Sequence, residues 1–585
     1  MKKVVKLISL ILALMLFIVG CSADTEEMKT TETEKTIKND SEYINLTMTR
    51  PTTINPILNN DKSVSYVLDL VYDSLFEFDE NYNLQPKLVD SYKISSNNKS
   101  VSITLKDDIK WHNGKNLTAY DVRYTYNLIK SKKDSAYYDL VSNISYITVN
   151  GSKKLTISFK DSYAFSLETL IFPIVSQAKL SGLSADSLEL ASKNKVGCGA
   201  YKIKTYKDRD YMILEPNEDY YNINEDANNR EIYVKMVPDS ESQIQMVLSL
   251  DSDISKVSLG NISKFIDNDN FKIEKYQGRN YDYVVFNYEN EYLQNLDIRK
   301  AVSFAIDRNT IISDAYSGRA KLTNFPLNPT SNYYDNDLKP LSYNTDNAQN
   351  YLKKAVLSLE EDKKAKLEAE KKAQEEKNKK AEEEAVDNQA EDSQNATDEN
   401  TENNKQDSAS EKTTEEETRT FKDVTNTEVR KLLKNINFKI IVNKDNSERV
   451  KAASMISDNL EAIGIKTQIK NLTADEMTKA LDSKDYDLAL IGCQLPAVSD
   501  ATYILEELGY KDDKLEKYLK SLQNANSEDE ITDRYKTIQK YVRDNAIYIS
   551  FGILDDYVVL NNRLEGDVYS NDFNVYRGIS ALKVN

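Results

Sequence analysis

Residues 109–122 read Ile-Lys-Trp-His-Asn-Gly-Lys-Asn-Leu-Thr-Ala-Tyr-Asp-Val. The Asn-Gly pair at 113–114 is typical of a tight turn, because both residues tolerate a positive φ angle. Thr118 and Asp121 have the spacing of a capping box, which predicts a helix that begins just after Thr118. His112 lies at this turn, so we interpret it as a structural residue rather than a ligand.

Regular elements are predicted on both sides of this stretch. Apolar and polar residues alternate at 44–48, 101–105 and 155–159, which is the pattern of half-buried strands. The segment 64–78 has apolar positions at helical spacing, and we predict a buried helix there.

The last third of the chain carries a second set of elements. Strands are predicted at 438–442, 466–469 and 485–491, with an amphipathic helix over 449–463 between the first two. This β-α-β-β order indicates an α/β lobe.

Length and composition limit the possible functions. A chain of 585 residues exceeds one hydrophobic core and indicates at least two lobes. The net charge of -18 disfavours nucleic-acid binding, which needs a basic face. His112 is the only histidine, which excludes the usual multi-histidine metal sites. The hydrolase motifs Gly-x-Ser-x-Gly and His-Glu-x-x-His do not occur in the sequence. We therefore expect that the protein is not an enzyme and that it binds no cofactor.

The first 21 residues have the pattern of an export signal. Lysines precede an apolar run over 7–19 that is shorter than the roughly 20 residues of a spanning helix. The run ends in Ile-Val-Gly-Cys, which resembles the lipobox of bacterial lipoproteins. We therefore expect 1–20 to be a signal peptide and Cys21 to be the lipidated residue. Residues 21–40 are polar and predicted to be a flexible tether.

The stretch 358–420 differs from the rest of the chain. It has no aromatic residue, glycine or proline, and it is rich in Glu, Lys, Asn and Asp. We interpret it as a low-complexity charged insertion, with a solvated helix over 360–385 followed by a disordered half.

Two cysteines remain after Cys21, and the sequence leaves their state open. Export permits a disulfide between Cys198 and Cys493, whereas two free, partly buried thiols fit the sequence equally well.

Several segments together resemble the family 5 extracellular solute-binding proteins, which are oligopeptide and dipeptide receptors of ABC importers. The most specific match is 109–122. Other matches follow in family order at 53–56, 70–75, 84–88, 196–201, 217–221, 286–287, 297–308, 460–465 and 486–487.

The resemblance implies an α/β fold of the two-lobed, type II periplasmic-binding-protein kind with an extra subdomain. Lobe I is expected to comprise 41–80, 194–281 and 561–585, with 81–193 inserted as the subdomain. Lobe II is expected to span 282–560 and to contain the charged insertion.

The implied function is a lipid-anchored extracellular receptor, a monomer that closes two lobes around a peptide or other small solute. Its partners would be an ABC permease and, through the lipid, the outer face of the membrane of a Gram-positive cell. A nickel or haem binder is a variant of this function. The alternative is a signalling or adhesion lipoprotein that has kept the fold and lost transport.

The resemblance also nominates ligand-binding residues. They are Asn55, Tyr201, Asn287, Gln494 and Asp500. In peptide-binding members, an aspartate after the corresponding strand resembles an anchor for the free amine of the ligand. In this sequence, Pro496 falls near the position of that aspartate. We therefore expect weak dependence on a free amine, with Asp500 as the substitute carboxylate if one exists.

Overall fold

The computed structural model describes residues 42–222, 230–390 and 419–585, with backbone alone for 381–390. Cys21, the signal peptide and the tether lie outside the described residues, as does 391–418 of the insertion. Within the described ranges, none of the helices combines the length and apolar character needed to cross a bilayer.

The strands are β1 (Ile44–Thr49), β2 (Phe76–Phe78), β3 (Leu84–Pro86), β4 (Val89–Ile94), β5 (Ser100–Leu105), β6 (Ile144–Val149), β7 (Lys154–Phe159), β8 (Tyr201–Lys207), β9 (Tyr211–Pro216), β10 (Ile232–Val237), β11 (Ile254–Val257), β12 (Phe271–Phe286), β13 (Ala320–Leu322), β14 (Asn437–Asn443), β15 (Lys466–Leu472), β16 (Leu488–Gln494), β17 (Ile549–Asn561), β18 (Leu564–Glu565) and β19 (Lys583–Val584).

The helices are α1 (Lys62–Leu68), α2 (Ala119–Ser131), α3 (Gln177–Leu180), α4 (Ala185–Glu189), α5 (Ser240–Leu248), α6 (Glu291–Gln294), α7 (Leu296–Ala305), α8 (Arg308–Asp314), α9 (Thr345–Ala390), α10 (Asn426–Leu433), α11 (Ser447–Ala462), α12 (Ala474–Asp482), α13 (Thr502–Glu507), α14 (Asp513–Gln523) and α15 (Glu528–Asp544).

A single mixed sheet runs through both lobes. Its order is β15-β14-β16-β12-β17-β11-β1-β10-β9-β8, with β13 paired to β17. The long strands β12 and β17 pair with each other along their length, while β16 flanks one half of β12 and β11 flanks the opposite half of β17. The register shifts between Gln277 and Tyr281 of β12. The fold is therefore the predicted two-lobed α/β fold, and its lobes share two strands.

Separate hydrophobic cores lie on the two sides of these shared strands. Lobe I is built around buried residues such as Leu46 and Val234, and the antiparallel sheet β4-β5-β7-β6 of the subdomain joins the same core. Lobe II has cores around Phe286 and around Tyr535. The expected limits of lobe II, 282 and 560, both fall within the shared strands, and we propose the register shift in β12 as the point where the chain passes between lobes.

Three predicted elements differ in the structure. The helix expected over 64–78 ends at Leu68, and the chain then turns into β2. The β-α-β-β order is wrong, because α12 lies between β15 and the last strand and makes the unit β-α-β-α-β with parallel pairing. The solvated helix of the insertion forms, but it begins earlier, as part of α9.

The first turns of α9 anchor it to lobe II. Ala348, Leu352 and Ala355 are fully buried there, whereas the described side chains from Glu360 onward are exposed. Arg419 pairs with Glu360 at 3.4 Å, so the chain re-enters the lobe beside the point where it left.

Candidate functional site

A cavity of about 920 Å³ lies between the two lobes. Helix α1, β2 and the subdomain loops at 136–143 and 161–173 form one side. The segment 494–503 after β16 forms the opposite side, and 572–574 closes one end. Its volume is at the upper end of the roughly 300–1,000 Å³ of small-molecule pockets.

Helix α1 presents one face to the cavity. The Asp61 carboxylate accepts hydrogen bonds from the Ser63 and Val64 amides and so starts the helix. Lys62, Tyr66 and Asp69 recur at helical spacing and all line the cavity, while the opposite face packs into the lobe I core.

The Asp572 carboxylate is a centre of polar contacts at one end of the cavity. It lies 2.6 Å from Lys256, 3.4 Å from Arg279 and 3.5 Å from Lys62. The Gln494 amide, from lobe II, donates to it at 3.0 Å. Burial alone would raise the pKa of Asp572, but these cations lower it. The aspartate therefore stays ionised and links lobe I to lobe II.

A second ion pair lies along the lobe I wall. Lys87 is 3.0 Å from Asp73 and 2.9 Å from Glu77. Burial alone would lower the pKa of Lys87, but the two carboxylates hold it well above its usual value. This cation is fully engaged by the protein itself.

Subdomain residues close the cavity by contacting lobe II. Phe165 is fully buried among lobe II aromatic rings, with ring centroids 6.0 Å from Tyr333 and 6.1 Å from Tyr535. The Tyr163 hydroxyl donates to the Asp500 carboxylate at 2.9 Å.

Two further hydrogen bonds join the same surfaces. The Ser499 amide donates to the buried Glu168 carboxylate, and the Asn98 amide donates to the carbonyl of Ala525. Burial raises the pKa of Glu168 to about 7. These contacts define a closed arrangement of the lobes.

Two of the five nominated binding residues line the cavity. The side chain of Gln494 is engaged by Asp572, and that of Asp500 accepts bonds from Tyr163 and from the Thr502 amide.

The other three nominated residues lie away from the cavity lining. Asn55 donates to the Leu188 carbonyl, and Asn287 donates to the carbonyls of Lys484 and Tyr486. Tyr201 is buried at the start of β8 in the lobe I core. Their side chains support the local fold.

The sequence motifs that identify lobe I meet at one structural junction. The Gly197 amide donates to Nδ1 of His112, and Nε2 of His112 lies 3.1 Å from the Gly199 carbonyl, which fixes a neutral ring with the proton on Nε2. Burial lowers the pKa of His112 to about 4. A Cβ atom at Gly197 would lie 1.9 Å from the Val71 carbonyl oxygen, so the close approach requires glycine. The structural role predicted for His112 is confirmed.

The cysteines also belong to the fold. Cys198 is buried in the lobe I core and Cys493 is half-buried in β16, and both are free thiols. Of the two states that the sequence leaves open, the structure has the unpaired one.

Sequence reasoning missed the cavity residues of lobe I. Asp69 interrupts the apolar run Val-Leu-Asp-Leu-Val, and a lone acid in a buried segment is a signal that could have identified it. Arg279 and Asp572 are far apart in sequence, and only the shared strand β12 and the C-terminal segment bring them together.

Comparison with known proteins places this geometry in a family. The model of "Bacterial extracellular solute-binding proteins, family 5 Middle" matches residues 83–397, more than half of the chain. The oligopeptide-binding protein AppA of Bacillus subtilis is 26% identical over 318 residues, covering 52% of this chain and 57% of AppA. The nickel-binding protein NikA of Staphylococcus aureus is 29% identical over 306 residues, covering 50% and 58%. The matches thus span less than two thirds of the length of these curated relatives.

Solved structures share the fold. The ABC transporter substrate-binding protein CtaP of Listeria monocytogenes superimposes with a TM-score of 0.68 at 19% identity, covering 93% of this chain and 99% of CtaP. B. subtilis AppA in complex with a nonapeptide gives 0.56 at 19% identity, covering 93% and 98%. Together with the matched family model, these similarities show that the chain belongs to family 5 of the bacterial extracellular solute-binding proteins.

Proposed function

We propose that this protein is a lipid-anchored extracellular receptor that binds an oligopeptide-like solute between its lobes and delivers it to an ABC importer. The observation that carries the proposal is the cavity of about 920 Å³ with walls from both lobes. A ligand there contacts both lobes only when they are closed. Its binding therefore shifts the population toward the closed arrangement.

The cavity wall suits a peptide backbone. Gln494 and Gln523 place side-chain amides on its lining. The carbonyl oxygen of the Gln494 amide and the whole Gln523 amide can pair with the amides and carbonyls of an extended ligand directly or through water. The solute leaves unchanged, so we assign no catalytic residue.

The anchor is a separate part of the proposal. The lipobox-like segment ending at Cys21 supports acylation of that cysteine, which would hold the receptor at the membrane surface. We expect the Cys21→Ser variant to move from the detergent phase to the aqueous phase in a partitioning assay. Retention in the detergent phase would contradict the anchor.

Native mass spectrometry of protein purified without denaturation tests the binding function. We expect a bound solute that dissociates on unfolding and fragments as a peptide, and calorimetric binding of synthetic peptides of that sequence.

A cavity-filling variant and a matched control sharpen this test. Ala497→Trp places an indole in the cavity and should abolish retention of the solute, whereas Ala373→Trp on exposed α9 should leave it unchanged. Absence of a bound solute in the wild type, together with no heat on titration with a peptide mixture, would overturn the function.

A further inference from the structure

The basic side chains of the cavity wall are already paired with acids of the protein. Lys62 and Arg279 contact Asp572, and Lys87 contacts Asp73 and Glu77. The lining also holds Asp69, Asp139, Asp161 and Asp500, and no ion pair involves any of these four among the described residues. The wall therefore presents unneutralised negative charge to a ligand.

Of these four residues, Asp69 and Asp500 are partly buried, whereas Asp139 and Asp161 are exposed. Asp69 follows α1 directly, where its backbone amide closes the last turn by donating to the Ser65 carbonyl. Within the described ranges its carboxylate has no hydrogen-bond partner, whereas the Asp500 carboxylate accepts two bonds. Among the described residues, Lys87 is the one cation that lowers the pKa of Asp69, and the Lys87 ammonium is bonded to two other carboxylates.

Tyrosines share the cavity wall with this carboxylate. Tyr72 follows Asp69 by three residues, and Tyr137 lines the same wall from the subdomain. The ring of Tyr66, three residues before Asp69, already has the Lys256 ammonium 5.8 Å from its centroid, so it is not available to a second cation. The negative charge of Asp69 contributes to a raised pKa of the Tyr137 hydroxyl, after the larger effect of burial, so the two groups are neighbours. A carboxylate beside tyrosine faces is a favourable environment for an organic cation, through charge pairing and cation–π attraction.

We propose that Asp69, with the lining tyrosines Tyr72 and Tyr137, binds a positively charged nitrogen group of the ligand. This inference rests on the proposed function and names the chemistry of its substrate. It also departs from the sequence-based expectation of weak dependence on an amine, because that expectation considered only the region of Pro496. The cation is either the amino terminus of a peptide or a lysine or arginine side chain.

Because Asp69 can bind a proton, ligand affinity at this subsite should depend on pH. Burial raises the pKa of the Asp69 carboxyl to about 7. The negative charges of Glu77 and Asp73 also raise this pKa, whereas the positive charge of Lys87 lowers it. A cation pairs only with the ionised form. Apparent affinity for a ligand whose own charge does not titrate should therefore rise roughly tenfold from pH 6 to pH 8. Glu168 titrates in the same range at the closure contact, so the informative quantity is the difference between wild type and variant.

Three tripeptide pools test the proposal by retention after gel filtration and mass spectrometry. The first has free amino termini and lacks Lys and Arg, the second is N-acetylated and contains Lys, and the third is N-acetylated and lacks both. We expect the wild type to retain peptides from the first or second pool at least about 30-fold more tightly than from the third. Which of the two pools is retained identifies the source of the cation.

Asp69→Asn keeps the shape of the side chain and breaks no contact, so the variant should fold normally. It should lose the preference for cationic peptides over the third pool, and it should lose the pH dependence of affinity measured with a retained Lys peptide. Asp90→Asn removes the same charge from the exposed face of β4 and should change neither. Retention without preference for a cation, or equal preference in Asp69→Asn, would overturn this inference and leave the receptor function standing. No retention from any pool would also overturn this inference, whereas the receptor function is decided by the native mass spectrometry and peptide titration described above.

Discussion

A buried ion pair between Asp282 of β12 and Arg449 of α11 links the shared strand to the helical layer of lobe II. The guanidinium donates two hydrogen bonds, of 2.9 and 2.7 Å, and the Tyr316 hydroxyl adds a third at 2.8 Å. A Cβ atom at Gly492 would lie 2.0 Å from the guanidinium, so β16 can pass the pair only with glycine there.

Arg449→Met should lower the free energy of unfolding by about 3 kcal/mol, because it leaves the Asp282 carboxylate buried without a countercharge. Urea unfolding measures the loss. The Asp282→Asn/Arg449→Met double variant removes both charges and should recover most of it. Equal losses in the single and double variants would show that packing of the arginine stem, and not charge, is what matters.

The residues of the candidate site were the least predictable part of the molecule. The motifs at 109–122 and 196–201 build the junction around His112, where the close approach of Gly197 to the Val71 carbonyl leaves no room for a side chain. They therefore predict the fold and carry no information about the ligand. Arg279 and Asp572 come together at the cavity only through the long-range pairing of β12 in the sheet, which local patterns do not reveal.

Among the helices and strands, a local sequence motif predicted the element correctly where all of its residues were present. The capping box at Thr118 starts α2 as predicted, with the Thr118 amide donating to Asp121 at 2.9 Å. The same signal is present at Thr473 and Glu476, and it starts α12, a helix that the apolar pattern does not predict. The overestimated helix over 64–78 shows the opposite error, because an apolar run in a buried segment cannot distinguish helix from turn and strand.

The charged insertion should be removable. Replacing 362–418 by a short Gly-Ser linker keeps the Glu360–Arg419 contact and removes side chains that, over 362–380, are all exposed. We expect the free energy of unfolding to change by less than about 0.5 kcal/mol, because loop-closure entropy depends only weakly on length.

Leu352→Ala is the matched comparison on the same helix. This side chain is fully buried in lobe II, and its truncation should cost about 3 kcal/mol. A loss of similar size on deleting 362–418 would mean that the insertion packs against the body of the protein.

For the molecule as a whole, β12 and β17 belong to both lobes. Relative motion of the lobes therefore depends on a small region of these two strands. The register shift between Gln277 and Tyr281 interrupts the ladder there. The lobes then meet a second time at the subdomain, through Phe165 and the bond from Tyr163 to Asp500. We propose that closure depends on this shared hinge region and on the contacts between the subdomain and lobe II.

Phe165→Ala should shift the protein toward an open arrangement. The ring is 1% exposed and packs on lobe II, so its loss removes about 2 kcal/mol of closure energy, or roughly 30-fold in the closed-to-open ratio. Small-angle X-ray scattering should show a larger radius of gyration than for the wild type, and affinity for the retained solute should fall by up to the same factor. Phe165→Leu keeps an apolar side chain in the lobe II pocket and should recover most of both effects, whereas Tyr146→Ala on the exposed face of β6 should change neither. An unchanged radius and affinity in Phe165→Ala would show that ligand contacts and the hinge alone set the closed state.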